Sequence, residues 1–130
     1  MPSSDFSREE RLRLAFTYAD LCRYIASQGA VVIIATIALF KEIHVWNRAN
    51  LPNYFEILLD IPVSVLEDRD SKGLYERFRK GEIRNVAGLD FEVDFPSNPD
   101  LVVGVEDKNR QVTVSEIVKK IFESQVESIK

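Results

Sequence analysis

One cysteine, one histidine, one tryptophan and one methionine are all that the chain contains of these residues. Cys22 alone cannot form an intrachain disulfide, which fits a reducing compartment. It falls on an apolar helical face and reads as an inert core thiol. No His, Cys, Asp or Glu cluster has metal-ligand spacing, so these residues give no sign of a metal site. Long apolar runs are missing too. The longest, residues 30–40, has 11 residues, where a membrane helix needs about 20. Residues 1–13 are polar and charged and lack the apolar stretch of a secretory signal. A cytoplasmic protein without a membrane partner is the expectation. A net charge of −4 argues against nucleic acid as a general partner. Repeats, low-complexity tracts and linkers are absent, so the chain reads as a single domain, 1–130.

What is present alternates between helix and strand. Ser7 and Glu10 make a capping box that opens a helix over 7–28, with Gly29 to end it. Within it Leu14, Tyr18, Leu21 and Ile25 repeat at helical spacing, flanked by Ala15, Ala19 and Ala26. "VVIIATI", residues 31–37, predicts a strand buried on both faces, as in helix-covered parallel sheets. Residues 41–50 predict a short helix carrying Ile43, His44 and Trp46, with His44 on the surface and Trp46 in the packing. A second strand is predicted over 54–60, then a helix from Pro62 to Asp68 with Asp60 as its cap. A third strand is expected over 101–107. Thr113 and Glu116 predict a capping box for a last helix, 114–128, that turns Ile117, Val118, Ile121 and Phe122 inward. The order implies an α/β fold with a parallel sheet flanked by helices. In such sheets the chemistry lies beyond the carboxyl ends of the strands.

Positive charge gathers in one place. "RDSKGLYERFRKGEIRNVAGLD", residues 69–90, carries Arg69, Lys72, Arg77, Arg79, Lys80 and Arg84, with turn glycines at 73, 81 and 88. A solvated helix and loop would account for it, with Arg77, Arg79 and Lys80 facing water. A lid closing over phosphates would account for it better. It follows the second predicted strand after one short helix, on the side where a ligand would sit.

The segment resembles the lid and following loop of adenylylsulfate kinases, which read R-D-x-K-G-L-Y-K-K-A-R-x-G-E-I-x-x-F-T-G-I-D. "FSREER", residues 6–11, is similar to that family's F-S-E-E-D-R, and "NPDLVV" to its N-P-E-L-V-L. The resemblance implies phosphoryl transfer from ATP, with Mg2+, to the 3′-hydroxyl of adenylylsulfate. It places Arg69, Asp70 and Lys72 near nucleotide phosphates. It puts Arg11 at a substrate-binding arginine, and Asn85, Val86, Gly88 and Asp90 on the loop passing the substrate's base. Positive charge around a moving phosphoryl group and exclusion of water are what that chemistry needs.

The sequence also departs from the family. No Gly-x-x-x-x-Gly-Lys-Ser/Thr stands among its five glycines, so the expected architecture is P-loop kinase-like without the first strand and phosphate-binding loop. ATP and Mg2+ are expected for a full-length member, and none is expected to be held by these residues alone. Met1 reads as an internal start, with a homodimer or a complementing N-terminal segment as the expected partner. The family's S-P-Y-R is replaced by "ALFK", which puts Lys41 at the substrate pocket. Its asparagine and arginine after E-D-R become Leu14 and Phe16, and its base-stacking phenylalanine becomes Val86. "WNRANLPNYFEILLD" resembles a capsule-biosynthesis subgroup acting on cytidine diphosphoramidate. Two readings follow: a nucleotide kinase of this type, inactive as these residues stand, or a non-catalytic nucleotide-binding module derived from it.

Overall fold

A computed structural model describes residues 7–70, 72–104 and 110–128. In chain order the elements are α1 (Arg8–Ser27), α2 (Lys41–Asn50), β1 (Ile57–Asp60), α3 (Val63–Asp68), α4 (Leu74–Arg79), β2 (Leu101–Gly104) and α5 (Arg110–Ser128). They fall into two compact units: one comprises residues up to Tyr54 with Asp70–Pro96, the other Phe55–Arg69 with Ser97 onwards. Among the described residues no helix is long and apolar enough to cross a membrane. Phe6, Ser71 and the expected carboxyl end of the third strand at 105–107 lie outside the described residues.

The first unit is built on α1 and α2. Ser7 Oγ accepts from the Glu10 amide at 3.3 Å, and Glu10 Oε2 accepts from the Ser7 amide at 3.3 Å. Both halves of the capping box are therefore made. At the other end the Gly29 amide donates to the Ala26 carbonyl at 3.0 Å, with Gly29 at a φ of 85° that favours glycine. The buried face is the small one: Ala15 and Ala19 pack with Phe40 and Ile43. Their small side chains let α2 approach closely. Leu12, Phe16, Ala38, Trp46 and Phe91 close over this cluster.

The stripe of Leu14, Tyr18, Leu21 and Ile25 is not the core side. Those residues are between 37% and 53% exposed. Cys22 is only half-buried. Trp46 packs edge-on against Phe16, with ring centroids 6.0 Å apart. His44 is half-buried, its Nε2 lying 3.2 Å from the Asp94 carbonyl oxygen.

The second unit holds the sheet. β1 and β2 pair in parallel, Ile57 with Leu101 through to Asp60 with Gly104. At its open end the Asp100 carboxylate accepts from the Glu56 amide at 2.7 Å. The Glu56 carbonyl accepts from the amides of Asp100 and Leu101 at 2.9 and 3.1 Å. α5 packs against β2 with Ile117 and Ile121 half-buried, but Val118 and Phe122 remain 44% and 62% exposed. The fold is thus α/β with a parallel sheet and helices.

One expected strand is missing and three element boundaries differ from expectation. Residues 31–37 form no strand. A strand exists only through its ladder, and among the described residues β1 pairs with β2 alone. Val31 and Ile33 accordingly stand 91% and 92% exposed. The second strand is shorter than 54–60, and α5 begins at Arg110, so Thr113 lies inside the helix instead of capping it. Pro62 occupies the cap position of α3 with no side-chain bond, which takes the capping role from Asp60.

Candidate functional site

Five of the sequence-predicted residues converge in the first unit. Arg11 leaves α1 one turn after its cap, and its Nη2 donates to the Asn85 carbonyl at 2.7 Å. The guanidinium lies over the Phe91 ring, 4.8 Å from its centroid, where the ring's negative face attracts it. Phe91 meets Phe40 edge-on at 6.1 Å, and Arg8 lies over Phe40 at 5.2 Å. Arg8 Nη2 also reaches both Glu42 oxygens, at 2.8 and 3.0 Å. The Glu42 carboxyl is held below its ordinary range, first by its own backbone amide and then by Arg8.

The loop carrying Asn85, Val86, Gly88 and Asp90 is tightly bonded to itself. Gly88 has a φ of 81°, and its amide donates to the Phe91 carbonyl at 3.3 Å. The Val86 carbonyl accepts from the amides of Leu89 and Phe91 at 3.1 and 3.3 Å. Val86 itself is buried, only 6% exposed, so its side chain belongs to the packing and presents no face to a base.

Lys41 stands at the first position of α2, where its amide donates to Asp94 Oδ2 at 3.1 Å. Asp94 thus caps a helix whose own N-cap, Phe40, has no side chain able to do so. The Lys41 side chain is exposed.

The lid residues divide. Arg69 closes α3 in the second unit, its amide donating to the Val65 carbonyl at 3.2 Å. Asp70 and Lys72 belong to the first unit. The Asp70 carboxylate accepts from the amides of Leu74, Tyr75 and Glu76 at 2.7, 2.9 and 3.2 Å. It satisfies the donors at the start of α4 that Gly73, at the N-cap, has no side chain to reach. Asp70→Ala should therefore lower stability by about 1–2 kcal/mol, the usual loss of a helix cap. Equilibrium urea unfolding reads it, and an unchanged midpoint would refute the capping role.

Lys72 is exposed, and among the described residues its ammonium makes no hydrogen bond or ion pair. The charges beyond it are shared out: Lys80 pairs with Glu76 at 2.6 Å, and Arg77 with Glu82 at 3.4 Å. These exposed pairs contribute little to stability.

Among the described residues no group of three or more His, Cys, Asp or Glu could hold a metal ion. The 130 residues contain no phosphate-cradling Gly-x-x-x-x-Gly-Lys-Ser/Thr. Phe91 and Asp94 were not singled out from the sequence. Phe91 had the weak signal of an aromatic beside Asp90. Asp94, 53 residues from Lys41, had no local signal at all.

The elements are those of an α/β protein with a parallel sheet, and comparison with known proteins gives the family. The adenylylsulphate kinase family model matches residues 2–104. A cytidine diphosphoramidate kinase of Campylobacter jejuni is 38% identical over 117 residues, covering 89% of this chain and 68% of the relative. An adenylyl-sulfate kinase of Microcystis aeruginosa is 33% identical over 118 residues, covering 91% of this chain and 65% of that one. The structure of the Mycobacterium tuberculosis APS kinase in complex with AMPPNP and APS superposes with a TM-score of 0.81 at 28% identity. That match covers 89% of this chain and 69% of the other. The chain belongs to the adenylylsulphate kinase family.

Proposed function

We propose that these residues form the acceptor-binding side and lid of a nucleotide kinase, one that moves the ATP γ-phosphate to the 3′-hydroxyl of adenylylsulfate or of a related nucleotide such as cytidine diphosphoramidate. The observation that carries this is the Arg11 guanidinium, seated over the Phe91 ring and fixed in direction by the Asn85 carbonyl. A planar cation fixed in this way suits an anionic oxygen pair of a nucleotide. Lys72, a point charge on a flexible stem beside Gly73, suits a phosphate approached by a moving segment. Similarity to relatives that act on both acceptors supports the reading. The buried Val86 favours an acceptor recognised without aromatic stacking at that position.

Titration of the chain with adenylylsulfate and with CDP tests this by calorimetry. Saturable binding is expected, and Arg11→Ala should weaken it about ten-fold or more, from loss of a charge-assisted bond worth roughly 1.5–3 kcal/mol. Equal affinity of the variant would defeat the reading. The absence of a phosphate-cradling motif from the 130 residues favours a second reading, a nucleotide-binding module without transfer. It predicts the same binding, and turnover in a protein extended by the phosphate-cradling motif separates the two.

A further inference from the structure

The loop after α4 turns on one carboxylate. Asp90 is exposed, yet both its oxygens are engaged: Oδ2 accepts from the Asn85 amide at 3.0 Å and Oδ1 from the Val86 amide at 2.7 Å. Between them Asn85 holds a φ of 60°, a left-handed backbone that few residues other than glycine adopt, asparagine being among the more tolerant. In this turned conformation the Asn85 carbonyl accepts the bond from Arg11, 74 residues away in sequence. The residue after Asp90 is Phe91, whose ring carries the same guanidinium. One carboxylate thus holds the turn whose carbonyl supports Arg11, next to the ring that also supports it.

We infer that Asp90 is a positioning residue: by gripping the Asn85 and Val86 amides it fixes the carbonyl that aims Arg11 at an anionic nucleotide. Its role is to hold the loop, and Arg11 makes the contact with the ligand. The inference rests on the nucleotide-binding reading above. Desolvation raises the Asp90 carboxyl, but the amides of Asn85, Val86 and Asp90 itself, with Arg84, together hold it below its ordinary value. It is therefore an ionised acceptor at neutral pH.

The test is a double-mutant cycle on the whole 130-residue chain, reading adenylylsulfate and CDP binding by calorimetry. Asp90→Ala should weaken binding at least ten-fold, and Asp90→Asn, which keeps one acceptor oxygen, by less. In an Arg11→Lys background, where the guanidinium fork is gone, Asp90→Ala should cost under two-fold. Asp100→Asn removes the charge of another amide-accepting carboxylate, far from Arg11 in sequence and in the second unit, and should leave affinity unchanged. An equal loss from Asp90→Ala in both backgrounds, or an equal loss from Asp100→Asn, makes Asp90 merely structural and overturns the inference.

The Arg11 side-chain nitrogen resonances give a readout that needs no ligand. Slow exchange at one Nη in the parent protein should be lost in Asp90→Ala and speeded in Asp90→Asn, and an unchanged Arg11 signal overturns the inference. If the parent protein binds neither nucleotide, the functional proposal fails while this spectrum still decides on Asp90. If Asp90→Ala does not fold, Asp90→Asn serves in both arms.

Discussion

A protein made of these 130 residues is expected to give no ATP-dependent phosphorylation of adenylylsulfate or of a cytidine diphosphate acceptor. Phosphoryl transfer asks little covalent work of a protein, so nearly all of its acceleration comes from positioning and from charge around the phosphates. On the proposed reading Arg11 and Lys72 are such groups on the acceptor side and lid, but the 130 residues contain no Gly-x-x-x-x-Gly-Lys-Ser/Thr for the β- and γ-phosphates. ADP release coupled to a spectrophotometric assay, in protein free of host kinase, is the measurement. Turnover above background would sink the expectation. Adding a strand–loop–helix of about 40–60 residues with the missing motif ahead of this sequence should restore turnover. In that longer protein, Lys72→Ala should cost ten-fold or more with little change in thermal midpoint, since among the described residues Lys72 bonds to nothing that stabilises the fold.

Phe40→Ala should melt the first unit. Phe40 is 2% exposed and the largest fully buried side chain among the described residues. Phe91 and Arg8 both rest on its ring. Truncating a buried phenylalanine costs about 3–5 kcal/mol. A small domain has only about 5–15 kcal/mol in all. The cluster of Ala15, Ala19, Phe40 and Ile43 is too small to absorb such a loss. Circular dichroism through a urea titration should show the transition shifted sharply down, or no folded baseline. Phe122→Ala, at a site 62% exposed, should change stability by less than about 0.5 kcal/mol. A Phe40→Ala protein that unfolds with the parent would show that the ring is not the centre of this core.

Local chemistry was legible in the sequence, and partners were not. The capping box at Ser7 and Glu10, the helix Lys41–Asn50 and the stop at Gly29 all follow from residues within a turn of one another. The long lid motif carried the family with it. What went astray depended on neighbours distant in sequence. Hydrophobicity says that "VVIIATI" is apolar, but a strand also needs a ladder partner, and periodicity names none. On α1 helical spacing brings out large residues and alanines alike and cannot say which are covered; the alanines are buried because α2 comes close. Asp70 reads as a lid residue by motif, and the structure adds that its oxygens already serve the amides of α4. The Asp94 cap on α2 and the Phe91 support under Arg11 come from tertiary folding alone.

The parallel pairing of β1 with β2 has a kinetic side. Each of its four pairs joins residues 44 apart, as does the clamp of Asp100 on Glu56. Bringing the ends of such a segment together costs about 3 kcal/mol of chain entropy by the logarithmic loop law, before any ladder bond is made. The helices need no such search, because their bonds lie three or four residues apart. Folding of the second unit is therefore limited by the meeting of its two strands. Residues 70–96, with α4 and the Asn85–Phe91 loop, form most of the chain that must be reeled in for that meeting. Insertions there lengthen the search only logarithmically, so the time to reach the native state is far less sensitive to the length of this segment than to the strength of the four-pair clasp that ends it.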